Sequence, residues 1–191
     1  MTSHKINIKL IYLQQNMSKI IFITIALFSI NLYAECSDQP GNDVDWTNCN
    51  FVESLDLSGV SLSGSQMTGV NLALANIEKS QINNANMAYG NFIFTNFNNS
   101  NLFSSNMQFA NCNNANFDNS NLAKVNFEGA NLFSSSFIGA NLFEVNLTGA
   151  NITGAIFEEA NLSGAIWVDG TKCSLGSVVH VIKIIRLTSK N

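Results

Sequence analysis

From Leu57 to Leu162 every fifth residue is apolar, without exception across 22 consecutive units. A helix places its buried side chains about 3.6 residues apart and a strand every second residue, so a period of five fits neither. A fixed period held this long marks a chain built from one small structural unit. The position before each centre is Asn in 16 of the 22 units, from Asn71 through Asn161. Two places before the centre, 17 of the 22 units carry Ala, Gly, Ser or Thr. No proline interrupts the span; the chain's single one is Pro40.

Positions 20 apart also resemble one another. One ladder reads Leu57, Ile77, Phe97, Phe117, Phe137, Phe157 and a second reads Leu62, Ile82, Leu102, Leu122, Leu142, Leu162. A third begins Met67, Met87, Met107 and continues to Phe127 and Leu147; the fourth, Leu72, Phe92, Cys112, Leu132, Ile152, is mixed. Similar side chains stacked over one another are what a packed core selects. The ladders support four units to a coil, which would make 22 units five to six coils. At about 4.8 Å per strand spacing the stack is roughly 25 Å tall.

The units ANLFS at Ala130–Ser134, ANLFE at Ala140–Glu144, ANITG at Ala150–Gly154 and ANLSG at Ala160–Gly164 resemble those of the pentapeptide-repeat family, whose motif is approximately A-[N/D]-[L/F]-x-x. The resemblance covers residues 51–168. It implies an all-β fold, a right-handed quadrilateral β-helix in which each pentapeptide forms one side. The central Leu or Phe is then expected to point inward, with the small residue two places earlier inward beside a corner, where a larger side chain would overpack. Asn is expected to suit the corners through tolerance of unusual dihedrals and local hydrogen bonding. The glycines two places after the centre, Gly59 and Gly129 among them, are expected to supply positive φ.

The segment Met1–Ala34 is a different material. Lys19 precedes the apolar run Ile20–Ala34, too short for a comfortable membrane span. A basic flank, an apolar centre and a small residue at the end match a secretory signal. We expect cleavage after Ala34, an exported (periplasmic or secreted) mature chain, and no stable membrane insertion of that chain. Met17 would start a conventional signal, leaving residues 1–16 as an upstream extension. Glu35 before Cys36 argues against lipid attachment. Residues 35–50 are read as an N-terminal cap in which Cys36 and Cys49 form a disulfide, the natural state of paired cysteines in an exported protein; two free thiols are the alternative, and a zinc site lacks ligands. Residues 169–191 form a C-terminal cap or tail, in which the pairing of Cys173 and the choice of strand or helix stay open. Cys112 falls in the fourth ladder as a small buried hydrophobe.

Charge and chemistry narrow the function. All 13 acids lie after residue 34, with six Lys or Arg, a net 6 − 13 = −7 for that part. Such a body lacks the basic footprint of a nucleic-acid binder. Beyond residue 34 the only histidine is His180, and no phosphate loop, HExxH or CxxC occurs. No catalytic, metal-binding or cofactor residues are assigned, and the chain is read as not an enzyme. The remaining signal is on the surface. Leu74, Tyr89, Phe94, Phe103, Phe109 and Phe143 occupy outward positions; Tyr89 should stack on Phe109 and Leu74 on Phe94. Contiguous exposed apolar area marks partner sites, while side chains lying flat on the coil are the alternative. The expected function is a non-enzymatic exported scaffold or protein-binding module, acting on an unknown protein partner or on itself. The resemblance also implies an alternative, a DNA-mimicking protector of DNA gyrase, for which eight acids and two lysines between 51 and 168 are thin; a secreted bacterial effector is a third reading, which the sequence does not separate from the first.

Overall fold

The computed structural model describes residue 36, residues 38–51 and residues 54–174. The expected signal segment, its cleavage point after Ala34, His180 and the tail after residue 174 lie outside the described residues. The chain winds as a right-handed quadrilateral β-helix. Parallel bridges join positions 20 apart throughout, from Asp56↔Asn76 to Asn146↔Ile166. Its sides are numbered here by their central residues: side 1 from Leu57, side 2 from Leu62, side 3 from Met67 and side 4 from Leu72. All four ladders point inward, and nearly every centre is fully buried. On side 1, Phe97, Phe117, Phe137 and Phe157 form a column with ring centroids 4.9, 5.0 and 4.9 Å apart and planes within 6°. That spacing matches the separation of neighbouring strands, so the rings stack at the rise of the backbone.

One unit shows why the repeat takes five residues. In Asn101–Ser105 every backbone N–H is bonded. Asn101 N–H donates back to Ser80 O at 2.9 Å, while Leu102 and Ser104 donate forward to Asn121 O at 2.8 Å and Ala123 O at 3.0 Å. Ser105 N–H closes the corner on Leu102 O at 3.0 Å. That leaves Phe103 N–H, which points away from both neighbouring coils and is taken by Asn101 Oδ1 at 3.2 Å. A buried or half-buried amide left unpaired would be expensive, so the accounting must close. The Asn before the centre closes it here and in most other units, and its Nδ2 commonly donates to the equivalent residue one coil earlier, as in Asn121 to Asn101 at 3.0 Å and Asn141 to Asn121 at 3.1 Å.

Asn therefore fills one part of the expected role, the local hydrogen bond, and not the other. None of these Asn residues has positive φ; the left-handed residues sit three places later, two after the centre. Asn is selected for its amide, not for tolerance of unusual dihedrals. At Ser136, where it is missing, the carboxylate of Asp118 from the preceding coil accepts from Ile138 N–H at 2.9 Å and from the Ser136 hydroxyl.

The small residues at the corners also carry polar work. Buried Ser80, Thr95, Ser105 and Ser135 donate to Leu57 O, Leu72 O, Ile82 O and Cys112 O at 2.7–2.8 Å, each to the preceding coil. Ser100 goes further. Its hydroxyl accepts from Ser80 N–H at 3.2 Å and donates to Ile77 O at 2.6 Å, replacing the direct turn bond at that corner. No buried side-chain N or O among the described residues lacks a partner.

The winding starts within the segment assigned to the cap. Asp45 and Asn50 already bridge to Gln66 and Asn71, one place beyond the register that every later coil keeps. One extra residue is therefore absorbed between Asn50 and Asp56. Cys36 and Cys49 are disulfide-bonded, with Cα atoms 5.5 Å apart. Trp46 is fully buried beneath this loop, 4.9 Å from the Phe51 ring, and donates from Nε1 to Asp38 O at 3.2 Å. At the other end the chain reverses: Ile166 pairs antiparallel with Lys172, Cys173 N–H donates to Ala165 O at 2.8 Å, and Trp167 packs on Phe157 at 5.6 Å.

Candidate interaction surface

The residue two places after each centre turns the corner, and φ there is positive at all 22 positions from 59 to 164. Eight are glycine, for which this conformation is free of penalty. At the remaining fourteen a Cβ must be accommodated. Asn tolerates it, Ser, Lys and Glu fill other corners, and for a bulky apolar residue it is an outlier, costing roughly 1–2 kcal/mol. Only four corners carry large apolar residues: Leu74 at φ 64°, Tyr89 at 59°, Phe94 at 56° and Phe109 at 55°. They are also exposed, by 60, 64, 56 and 51% respectively.

Their placement is not scattered. Tyr89 and Phe109 lie at the corner between sides 3 and 4, Leu74 and Phe94 at the corner between sides 4 and 1. All four thus flank side 4. Tyr89 stacks on Phe109 with centroids 5.3 Å apart and planes 17° off parallel. Phe109 in turn lies against Gly129, where a Cβ would stand 2.5 Å from the ring. Between the two corners run half-buried Ala73, Ile93 and Asn113, then exposed Phe133. Among the described residues side 4 carries no charged group, whereas side 1 holds Asp56, Glu78, Lys79, Asp118, Glu158 and Glu159.

Two of the six sequence-derived surface residues fall elsewhere. Phe103 is on side 2, on the far side of the tube, beneath Lys124 Nζ at 5.9 Å, and Lys124 pairs with Glu144 at 3.8 Å. Phe143 is on the same side as Phe103 and half-buried. Neither joins the cluster at side 4. Phe133 does, and its register was readable, since it continues the column Ala73, Ile93, Asn113. Ile156, 48% exposed, occupies an Asn position in the last coil.

The described residues hold no group of three or more His, Cys, Asp or Glu arranged for a metal ion. Burial pushes the Cys112 thiol far above the ordinary thiol range, so it stays protonated in the fourth ladder. Partial burial, aided by Asp169, raises Cys173 as well. A reactive cysteine needs the opposite shift, toward the thiolate. Among the described residues no helix is long and apolar enough to cross a membrane.

A solenoid of five-residue sides, four to a coil, with Asn before 16 of its 22 centres, is the architecture of a repeat protein. The pentapeptide-repeat family model matches residues 49–88, 110–149 and 140–166 in eight copies, and the chain belongs to the pentapeptide-repeat family. Similar solved structures include a pentapeptide repeat protein of the Arabidopsis thaliana thylakoid lumen, 26% identical over 51% of this chain and 65% of that one, with a TM-score of 0.39. HetL, a pentapeptide repeat protein involved in heterocyst differentiation regulation in the cyanobacterium Nostoc, is 20% identical over 71% of this chain and 78% of its own, with a TM-score of 0.29. QnrB1, a plasmid-mediated fluoroquinolone resistance protein, is 18% identical over 71% and 75%, with a TM-score of 0.36. The chain spans just under two thirds of the Arabidopsis protein's length. A search of curated proteins finds no match.

Proposed function

We propose that this chain is an exported, non-enzymatic scaffold that offers side 4 and its two flanking corners to a protein partner. The observation that carries the reading is the coincidence of strain with exposure. Leu74, Tyr89, Phe94 and Phe109 hold a backbone conformation that favours glycine, and each presents its side chain to solvent. Strained residues persist where they serve a site, and contiguous apolar surface marks where a partner sits. The Cys36–Cys49 disulfide supports export, because such bonds persist in oxidising compartments.

A photo-crosslinking residue placed at 94 and, separately, at 99 tests the reading in the producing cell. Both positions are left-handed corners, with φ of 56° and 58°, but Asn99 belongs to the corner between sides 1 and 2. A protein adduct from position 94 with none from 99 is expected; equal labelling, or none, refutes it. Fractionation with the mass of the N-terminus tests export, and a full-length cytoplasmic protein refutes it. Inhibition or protection of gyrase in a supercoiling assay would favour the DNA-mimic reading, which needs more acid than sides 2, 3 and 4 carry.

A further inference from the structure

We infer that the partner seated on side 4 is a second copy of this chain, docked side by side through its own side 4. The inference rests on the reading of that face as a partner surface and names its occupant.

Charge is the first argument. The body is acidic, and on the described coils its acids concentrate on side 1. Two copies approaching through side 1 set like charges against each other, which is costly. Among the described residues side 4 has no charge to oppose its twin. Two copies meeting there avoid the like-charge pairs that side 1 would impose.

Ring geometry is the second. Phe109 lies along the axis between Tyr89 and Gly129, so its faces are already covered. A platform for sugars or bases needs free ring faces on which to stack. What Phe109 offers outward is chiefly ring edge, which suits the faces and aliphatic flanks of another aromatic cluster.

Shape and area are the third. The corner rows Tyr89–Phe109 and Leu74–Phe94 stand up on either side of the lower row Ala73–Ile93. A two-fold axis lying in the contact plane, along the tube, sets the Tyr89–Phe109 row of each copy against the Leu74–Phe94 row of the other, as an isologous contact requires. Taking about 200 Å² for a large side chain, four that are half to two thirds exposed present roughly 450 Å² per copy. The pair then buries roughly 900 Å² from these residues alone, and Ile93, Phe133 and the Asn row bring it to the low end of specific interfaces, roughly 1,200 Å². A dimer that forms in the micromolar range is therefore expected.

Sedimentation equilibrium of the full chain from about 1 to 300 μM reads this directly. The expected result is a monomer–dimer equilibrium that weakens at least tenfold in Tyr89→Asn/Phe94→Asn. Asn holds the same corner conformation at positions 84, 99, 114 and 119, so the variant should melt no lower than wild type. Leu74→Gly serves as a second variant with the same expectation, and Phe103→Ser on side 2 should leave dimerisation unchanged. A monomer at 300 μM, or a dimer indifferent to both side 4 changes, overturns the inference. The crosslink at position 94 separates the two levels. An adduct with a different protein, together with a monomeric purified chain, overturns the second copy but leaves side 4 a partner face; no adduct and no dimer overturns both.

Discussion

The ring of Phe109 occupies the space where a side chain on Gly129 would begin, one coil further along the same corner. A Cβ built at Gly129 lies 2.5 Å from two of the ring's carbons. Glycine is thus favoured there twice, once by its φ of 65° and once because a Cβ would force the Phe109 ring to move.

Gly129→Ala should therefore destabilise by about 2 kcal/mol, from overpacking and left-handed strain together. In a Phe109→Ser background the steric part disappears. Thermal or urea unfolding of the four proteins of this cycle should give a coupling of about 1 kcal/mol. Additive effects would mean that the ring does not rest on Gly129.

Ser100 and Ser105 look alike in the sequence and should behave differently. Ser105 donates to Ile82 O, which also accepts directly from Ala85 N–H at 3.3 Å. Ser100 alone connects Ser80 N–H to Ile77 O. Ser100→Ala strands a buried donor and a buried acceptor, at about 2–4 kcal/mol, whereas Ser105→Ala should cost about 1 kcal/mol. Urea midpoints at constant m-value distinguish the two.

The Cys36–Cys49 bridge closes a loop with a sequence separation of 13 over buried Trp46. Chain entropy assigns such a loop about 3 kcal/mol. Reduction, or Cys36→Ser with Cys49→Ser, should lower the melting temperature and expose Trp46, red-shifting its emission. An unchanged melt and unchanged fluorescence would show that the entry coil is held without the bridge.

Asp45, Asp56 and Asp169 have carboxyl groups held below the ordinary range. Each does so through the hydroxyl and amide of the residue two places on, with the Thr47 hydroxyl leading for Asp45, the Ser58 amide for Asp56 and the Thr171 hydroxyl for Asp169. A carboxylate lowered in the fold stabilises above the unfolded value and loses that contribution as pH falls through the folded value. The melting temperature should consequently fall below about pH 4. Asp45→Asn with Asp56→Asn keeps an acceptor at each place and should flatten part of that acid limb in a pH series of melts.

The sequence carried the architecture because the period of five and the ladder of 20 are both properties of residue identity. Phe97, Phe117 and Phe137 announce their stacking before any coordinate is known. The purpose of Asn was harder to read. Its amide serves the N–H two places on and the equivalent Asn one coil back, and only the wound backbone shows that Phe103 N–H has no other acceptor. The start of the winding was hidden by the extra residue between Asn50 and Asp56, which breaks the register by one. The surface was half readable. Leu74, Tyr89, Phe94 and Phe109 were visible as outward residues, but their shared strain depends on φ, and their grouping about one side separates them from Phe103 and Phe143.

Because each storey of the tube is bonded only to those immediately above and below, height is a free variable of the design. Duplication of any 20 consecutive codons inside the repeat would add one level and keep every contact elsewhere. It would also lift residues beyond the insertion without rotating them onto another wall. A lineage of such proteins can thus change its reach by whole levels, while a gain or loss of a single repeat unit turns everything downstream by a quarter and moves an aromatic corner onto a different wall.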